Sequence, residues 1–291
     1  MLDQLDQLEL LGKIYQVRFL EPNRDRFPNF ETDAWHALAF FLGGYAFERQ
    51  GRSPNYAPAA VDAILTLKRD DRKLTDKAIE KKVWQKFCAL LCGKGLNERN
   101  NPLSPKGTPY QLKTKKKRGA DHKTHDISAV EIAQKLTDQN LVAWAKQQLS
   151  TDKVDKAWNE LIKISGVKNK IASLFLRDIA VIFQLSPQKN RELLQPVDIW
   201  VRRTVWRITG ATNLDDSACA KWIVSESLKQ RKLPEAVNQG IWYLASQVVQ
   251  SKYKLDKLLK DPESGPTGLV QSVREHLSTL QNAASLLKDW Q

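Results

Sequence analysis

Residues 164–180 read ISGVKNKIASLFLRDIA, and residues 195–203 read QPVDIWVRR. The first stretch joins two helices. Trp158, Leu161 and Ile164 recur at helical spacing and mark the apolar side of one helix, which Ser165-Gly166 breaks. A second helix is expected from Asn169 or Lys170, turning Ile171, Leu174, Phe175 and Ile179 inward. A short glycine hairpin of this kind leaves backbone N–H groups without partners where the second helix begins. Those donors, together with the positive end of the helix dipole, suit a phosphate. Gly166 makes the turn and Lys168 adds a cation beside it.

The second stretch starts another helix. Pro196 favours an extended conformation at Gln195. Asp198 then stands as the N-cap of IWVRRTVWRI. Helical periodicity extends outward from both stretches. DAWHALAFFLGGYAFERQG is expected to form an apolar helix ending near Gly51, and PAAVDAILTLKRD opens with Pro58 in its first turn. TDKAIEKKVWQKFCALLCGKG has Thr75 or Asp76 as its cap and Gly93 as its stop. In SAVEIAQKL, Ser128 precedes Glu131 by three residues, a capping box. NLVAWAKQQLS, DKVDKAWNELIKIS, DSACAKWIVSESLKQ and PEAVNQGIWYLASQVVQ carry the same period, and a last helix is expected from about Thr267 to Asp289. No strand series emerges, so the expected fold class is all-α.

The 291 residues, 42% of them hydrophobic, suffice for a substantial core. Lys plus Arg number 46 against 33 Asp plus Glu, a formal charge of +13. Such an excess points to a polyanion, most commonly nucleic acid. The three cysteines make neither a disulfide framework nor a four-cysteine metal set. Cys88 and Cys92 share a helix face as small apolar residues. The start, MLDQLDQLEL, is acidic and amphipathic, unlike a signal peptide. The longest apolar run, residues 37–47, is shorter than the about 20 residues a bilayer requires. A soluble intracellular protein is expected, in the cytoplasm or nucleoid, or in a nucleus if the source is eukaryotic.

Residues 100–126 stand apart, rich in Pro, Gly, Lys and Thr, with KTKKKRG at Lys113 to Gly119. They suit a flexible, solvated loop and equally a basic arm lying along phosphates. His122 and His125 within it have no second ligand pair for a metal.

Lys170 and Asp198 each have two readings. Lys170 suits a phosphate contact; without its proton it is a nucleophile able to form a Schiff base with a sugar carbon. Asp198 suits a cap alone; it also suits a carboxylate that takes a proton from a nucleophile or steadies a developing sugar cation. L-x-x-I-S-G-V-x-x-K-I-A, Leu161 to Ala172, followed by P-V-D-I-W, resembles the signature of the helix-hairpin-helix/Gly-Pro-Asp DNA glycosylases. The resemblance is greatest to the 8-oxoguanine branch, archaeal-type enzymes included, and spans about Leu161 to Arg203. Lys168 departs from the pattern, standing where the hairpin usually carries a second glycine, and the connection to the aspartate is longer than in many members.

The resemblance implies that Lys170 is the catalytic lysine and Asp198 the catalytic aspartate of a bifunctional glycosylase and abasic-site lyase. The substrate would be double-stranded DNA with an oxidised purine, 8-oxoguanine foremost, and the enzyme a monomer without metal or organic cofactor. Two helical domains are implied, with DNA in a cleft between them. One covers about 36–190 and ends in the hairpin at about 157–180; the other combines 1–35 with 191–291. Gly166, Lys168, Arg202 and Arg203 would contact phosphates, although the two arginines equally suit pairing with acidic neighbours. The flipped base would meet Asn238 and Trp242, four apart on one helix, with Leu174 and Trp84 as further candidates. Trp242 also suits a core position. A monofunctional glycosylase and a non-catalytic helix-hairpin-helix binding protein are the alternatives.

Overall fold

The computed structural model describes residues 4–47, 56–92, 112, 127–136, 138–260, 271–272, 274–276 and 278. Among these the chain is mostly helical and has no strand. In chain order the helices are α1 (Gln4–Tyr15), α2 (Glu21–Asp25), α3 (Ala34–Phe41), α4 (Tyr56–Arg69), α5 (Ile79–Cys92), α6 (Ala129–Lys135), α7 (Leu141–Ser150), α8 (Val154–Leu161), α9 (Asn169–Ile182), α10 (Ile199–Thr209), α11 (Asp216–Lys229), α12 (Pro234–Tyr243) and α13 (Lys252–Lys260). Wider π-helical turns, Gln16–Leu20, Leu42–Ala46 and Leu244–Val249, prolong α1, α3 and α12. No helix among the described residues is long and apolar enough to cross a membrane. The basic segment 100–126 and the expected stops Gly51 and Gly93 lie outside the described residues, apart from buried Leu112. The helix expected over 267–289 also falls largely outside them; 271–272, 274–276 and 278 are helical.

Short polar side chains set several helix starts. Asp33, Ser128, Asn140, Asp198 and Asp215 each accept backbone N–H bonds from the first turn of the helix they precede. Each bond satisfies a donor that the helix itself leaves unpaired. Ser128 Oγ accepts from Glu131 N at 3.0 Å, the bond that the S-x-x-E spacing predicts. Asp76, three residues ahead of α5, accepts from Ala78 N at 2.8 Å.

The chain forms two compact units, Leu20–Pro196 and Met1–Phe19 with Val197–Gln291. In the 20–196 unit, α9 is buried all round from Ile171 to Ala180 and packs against α7 and α8. Phe175 lies edge-on to Phe41 and Tyr45, with ring centroids 5.0 and 5.3 Å away. Two charges share this interior. Arg177 Nε donates to Asp178 Oδ1 at 2.9 Å and Tyr45 Oη to Asp178 Oδ2 at 3.3 Å. Pairing offsets the desolvation that isolated buried charges would suffer.

In the other unit α1 lies along α12, and the crossing is set by glycine. A Cβ on Gly12 would fall inside the carbonyl of Ala236, and one on Gly240 inside the carbonyl of Leu8. Leu8, Leu11, Val237 and Ile241 close around that contact. α13, which the periodicity passes over, docks on α10. Asp256 of α13 binds Arg203 through two bonds, one of them 2.9 Å, and Arg207 Nε at 2.8 Å.

Hydrogen bonds from these two guanidiniums hold the Asp256 carboxyl below the ordinary carboxylate range. A carboxyl depressed by folding adds stability that is complete above its unfolded value, near 4, and is lost as pH falls toward the folded value. Asp256→Asn should therefore lower the urea midpoint by a constant amount above about pH 5. Below about pH 4 the gap to the parent should narrow. A gap independent of pH down to acid would mean that Asp256 acts through packing alone.

Candidate functional site

α8 ends at Leu161, and the chain turns through Ile162–Lys168 before α9 begins at Asn169. Gly166 takes φ 79°, the left-handed region where a side chain is strained. Ile164 and Val167 on either side of it are buried, anchoring the turn in the core. Two backbone bonds tie the turn to Ile127, two residues before α6: Ile127 N donates to Lys163 O at 3.1 Å and Ser165 N to Ile127 O at 2.9 Å. A brace joins the two helices, Trp158 Nε1 donating to Ser173 Oγ at 3.2 Å.

The start of α9 differs from the starts described above. Lys168 occupies the cap position and its side chain makes no capping bond. Gly166, Lys168 and Asn169 are exposed. Their backbone N–H groups donate to no acceptor among the described residues. Donors of this kind at a helix N-terminus favour an anion. Lys170, the second residue of α9, is half-buried.

Asp198 belongs to the other unit. It caps α10, its Oδ1 accepting from Trp200 N at 2.9 Å and Val201 N at 3.1 Å. Asp198 has the extended backbone of a cap, φ −122° and ψ −174°, and Gln195, ahead of Pro196, is extended as the sequence predicts, φ −105° and ψ 92°. Two bonds hold the carboxylate in one orientation.

The remaining candidates occupy varied environments. Arg202 pairs with Asp216, Nε to Oδ1 at 2.8 Å, and Arg203 with Asp256, so both arginines have acidic neighbours. Asn238 is fully buried in α12. Leu174 and Trp84 are buried in the core of the 20–196 unit, and the Trp84 ring is tilted on Phe87 at 5.8 Å. Trp242 is half-buried, edge-on to Tyr15 at 5.7 Å and Phe19 at 5.9 Å. Cys88 and Cys219 are free and buried, and burial pushes the Cys219 thiol up to about 11. No cluster of His, Cys, Asp or Glu among the described residues could hold a metal. Compared with family models, curated proteins and solved structures, the chain matches none.

Proposed function

We propose that the chain is a bifunctional DNA glycosylase and abasic-site lyase that removes an oxidised purine, foremost 8-oxoguanine, from double-stranded DNA. The observation that carries this reading is the start of α9. A left-handed glycine, three exposed N–H donors, Lys168 and the half-buried Lys170 meet within five residues (Gly166 to Lys170). Such a turn suits a backbone phosphate. The adjoining amine suits attack on the sugar attached to that phosphate. The net charge of +13 agrees with a polyanionic substrate.

In the proposed reaction the Lys170 amine forms a bond to C1′ as the C1′–N bond to the base breaks. The base leaves with the bonding pair and a proton. The sugar ring then opens: the nitrogen lone pair forms the C1′=N bond of an imine as the C1′–O4′ bond breaks, and O4′ takes up a proton. The imine acidifies the 2′ position; a 2′ proton is lost and the C3′–O bond breaks, its electron pair leaving with the phosphate, which completes β-elimination. Asp198 takes the proton released by the amine or steadies positive charge developing on the sugar. Gly166 and Lys168 hold a phosphate. Trp242 is half-buried where the other three base-pocket candidates are buried, and it offers a ring for stacking.

Borohydride trapping tests the proposal. The full chain is incubated with labelled duplexes carrying either 8-oxoguanine opposite cytosine or an abasic site, reduced, and run on a denaturing gel. A covalent protein–DNA band on both is expected. Absence of the band on both, with duplex binding intact, removes the lyase and leaves a DNA-binding protein. A band on the abasic duplex alone retains the amine chemistry but removes 8-oxoguanine as the base released.

A further inference from the structure

The outer side of α10 carries a second feature. A hollow of about 340 Å³ is lined by Ile199, Arg202, Arg203, Trp206, Arg207 and Thr212. Three of these six are arginines, and none of the six is a carboxylate. Asp256 pairs with Arg203 and Arg207, and Asp216 with Arg202, so three guanidiniums meet two carboxylates and one positive charge remains. The other wall is apolar. Ile199 is 51% exposed. The Trp206 indole is fixed by its Nε1–H bond to Leu214 O at 2.8 Å. Trp206 and Arg202 also line an adjoining hollow in which Asp215 and Asp216 supply negative charge. The indole thus stands where a cationic recess meets an acidic one.

We propose that the hollow binds a nucleotide unit, with its phosphate on Arg203, Arg207 and Thr212 and its base against Trp206 and Ile199. Asp256 takes Nε and Nη2 of Arg203 and Nε of Arg207, which leaves Nη1 of Arg203 and both Nη groups of Arg207 as charged donors to phosphate oxygens. A fixed indole offers a face on which any base stacks, and its neighbouring isoleucine keeps water from the other edge of the recess. The volume is at the lower end of those that enclose small ligands. Free mononucleotides and the phosphorylated ends of DNA strands present the same chemistry. The proposal rests on the DNA-repair reading only in making a strand end the more relevant source.

The test is NMR observation of the indole Nε1–H resonances in the full chain, with the Trp206 signal assigned by its loss in Trp206→Phe. A deoxynucleoside 5′-monophosphate, the nucleoside, inorganic phosphate and a short 5′-phosphorylated oligonucleotide are titrated separately. The Trp206 signal is expected to shift with the mononucleotide or the phosphorylated oligonucleotide. Roughly tenfold higher concentrations of nucleoside or phosphate should be needed for the same shift. Thr212 is exposed, so Thr212→Glu introduces a negative charge at the hollow without emptying the core. It should weaken the response roughly tenfold or more. Comparing the two nucleotide probes tells the sources apart.

No shift with either nucleotide probe, or an equal shift with phosphate alone, overturns the proposal, as does an unchanged response in Thr212→Glu. Borohydride trapping keeps the two readings separable. Loss of trapping in the parent protein with the Trp206 shift intact rejects the repair reading and leaves the hollow standing. Trapping retained without the shift does the reverse.

Discussion

In Lys170→Gln the borohydride-trapped adduct is expected to vanish, while affinity for the same duplex falls roughly tenfold or less. The asymmetry follows from what the side chain supplies. As one cation beside a phosphate, Lys170 contributes a single counterion-releasing contact among several on a chain of +13. As the proposed nucleophile it would supply the bond that reduction traps, and no amide can replace it. Asp198 separates differently. Asn and Asp cap helices about equally well, so Asp198→Asn should preserve the bonds to Trp200 N and Val201 N and leave unfolding almost unchanged. It removes the negative charge, however, and base release should slow by about 10²- to 10⁴-fold. Asp198→Ala should lose both, at about 1 kcal/mol of stability for the cap. Thermal melts and single-turnover base release on the three variants check the pattern. Full activity in Asp198→Asn would confine that residue to capping.

The features legible in the sequence are those whose physics is local. Asp198 and Ser128 bond to amides two or three residues ahead, so their spacing to the following helix announces them. Gly166 lies in a turn whose flanking apolar residues already fix the direction of both helices, and its positive φ fits that role. Other features are set by residues far apart in the chain. Nothing near Ser165 marks its bond to Ile127. Asp256 of α13 reads as one acid in a lysine-rich stretch until α10 brings Arg203 and Arg207 to it. The π-helical turns after α3 and α12 do not disturb apolar periodicity enough to be seen in it. For the candidate site, the sequence named Lys170 and Asp198 from a pattern. The uncapped start of α9 emerges only in the folded chain, because folding decides which amides find acceptors.

Gly240→Ala should be among the most destabilising single substitutions in the chain, costing at least about 3 kcal/mol. Helix propensity argues the other way, since alanine in a helix interior is favoured over glycine by about 1 kcal/mol. The crossing with α1 decides the sign. The added methyl would occupy the space of the Leu8 carbonyl and crowd Gly12 N. Those are backbone atoms inside α1, so no rotamer change can give way, and the helices would have to move apart. Separation would loosen Leu8, Leu11, Val237 and Ile241 together, which is why the cost should exceed that of an ordinary overpacked side chain. Gly12→Ala meets the Ala236 carbonyl from the other side of the crossing and should behave alike. Gly210 supplies the contrast. It ends α10 at φ 73°, and a methyl added there would meet nothing within 4 Å, so alanine bears only left-handed strain, about 1–2 kcal/mol. Urea unfolding of the three variants should rank Gly240→Ala and Gly12→Ala well below Gly210→Ala. Equal midpoints would mean that α1 can slide on α12 at little cost, and that the close approach is not what fixes their crossing.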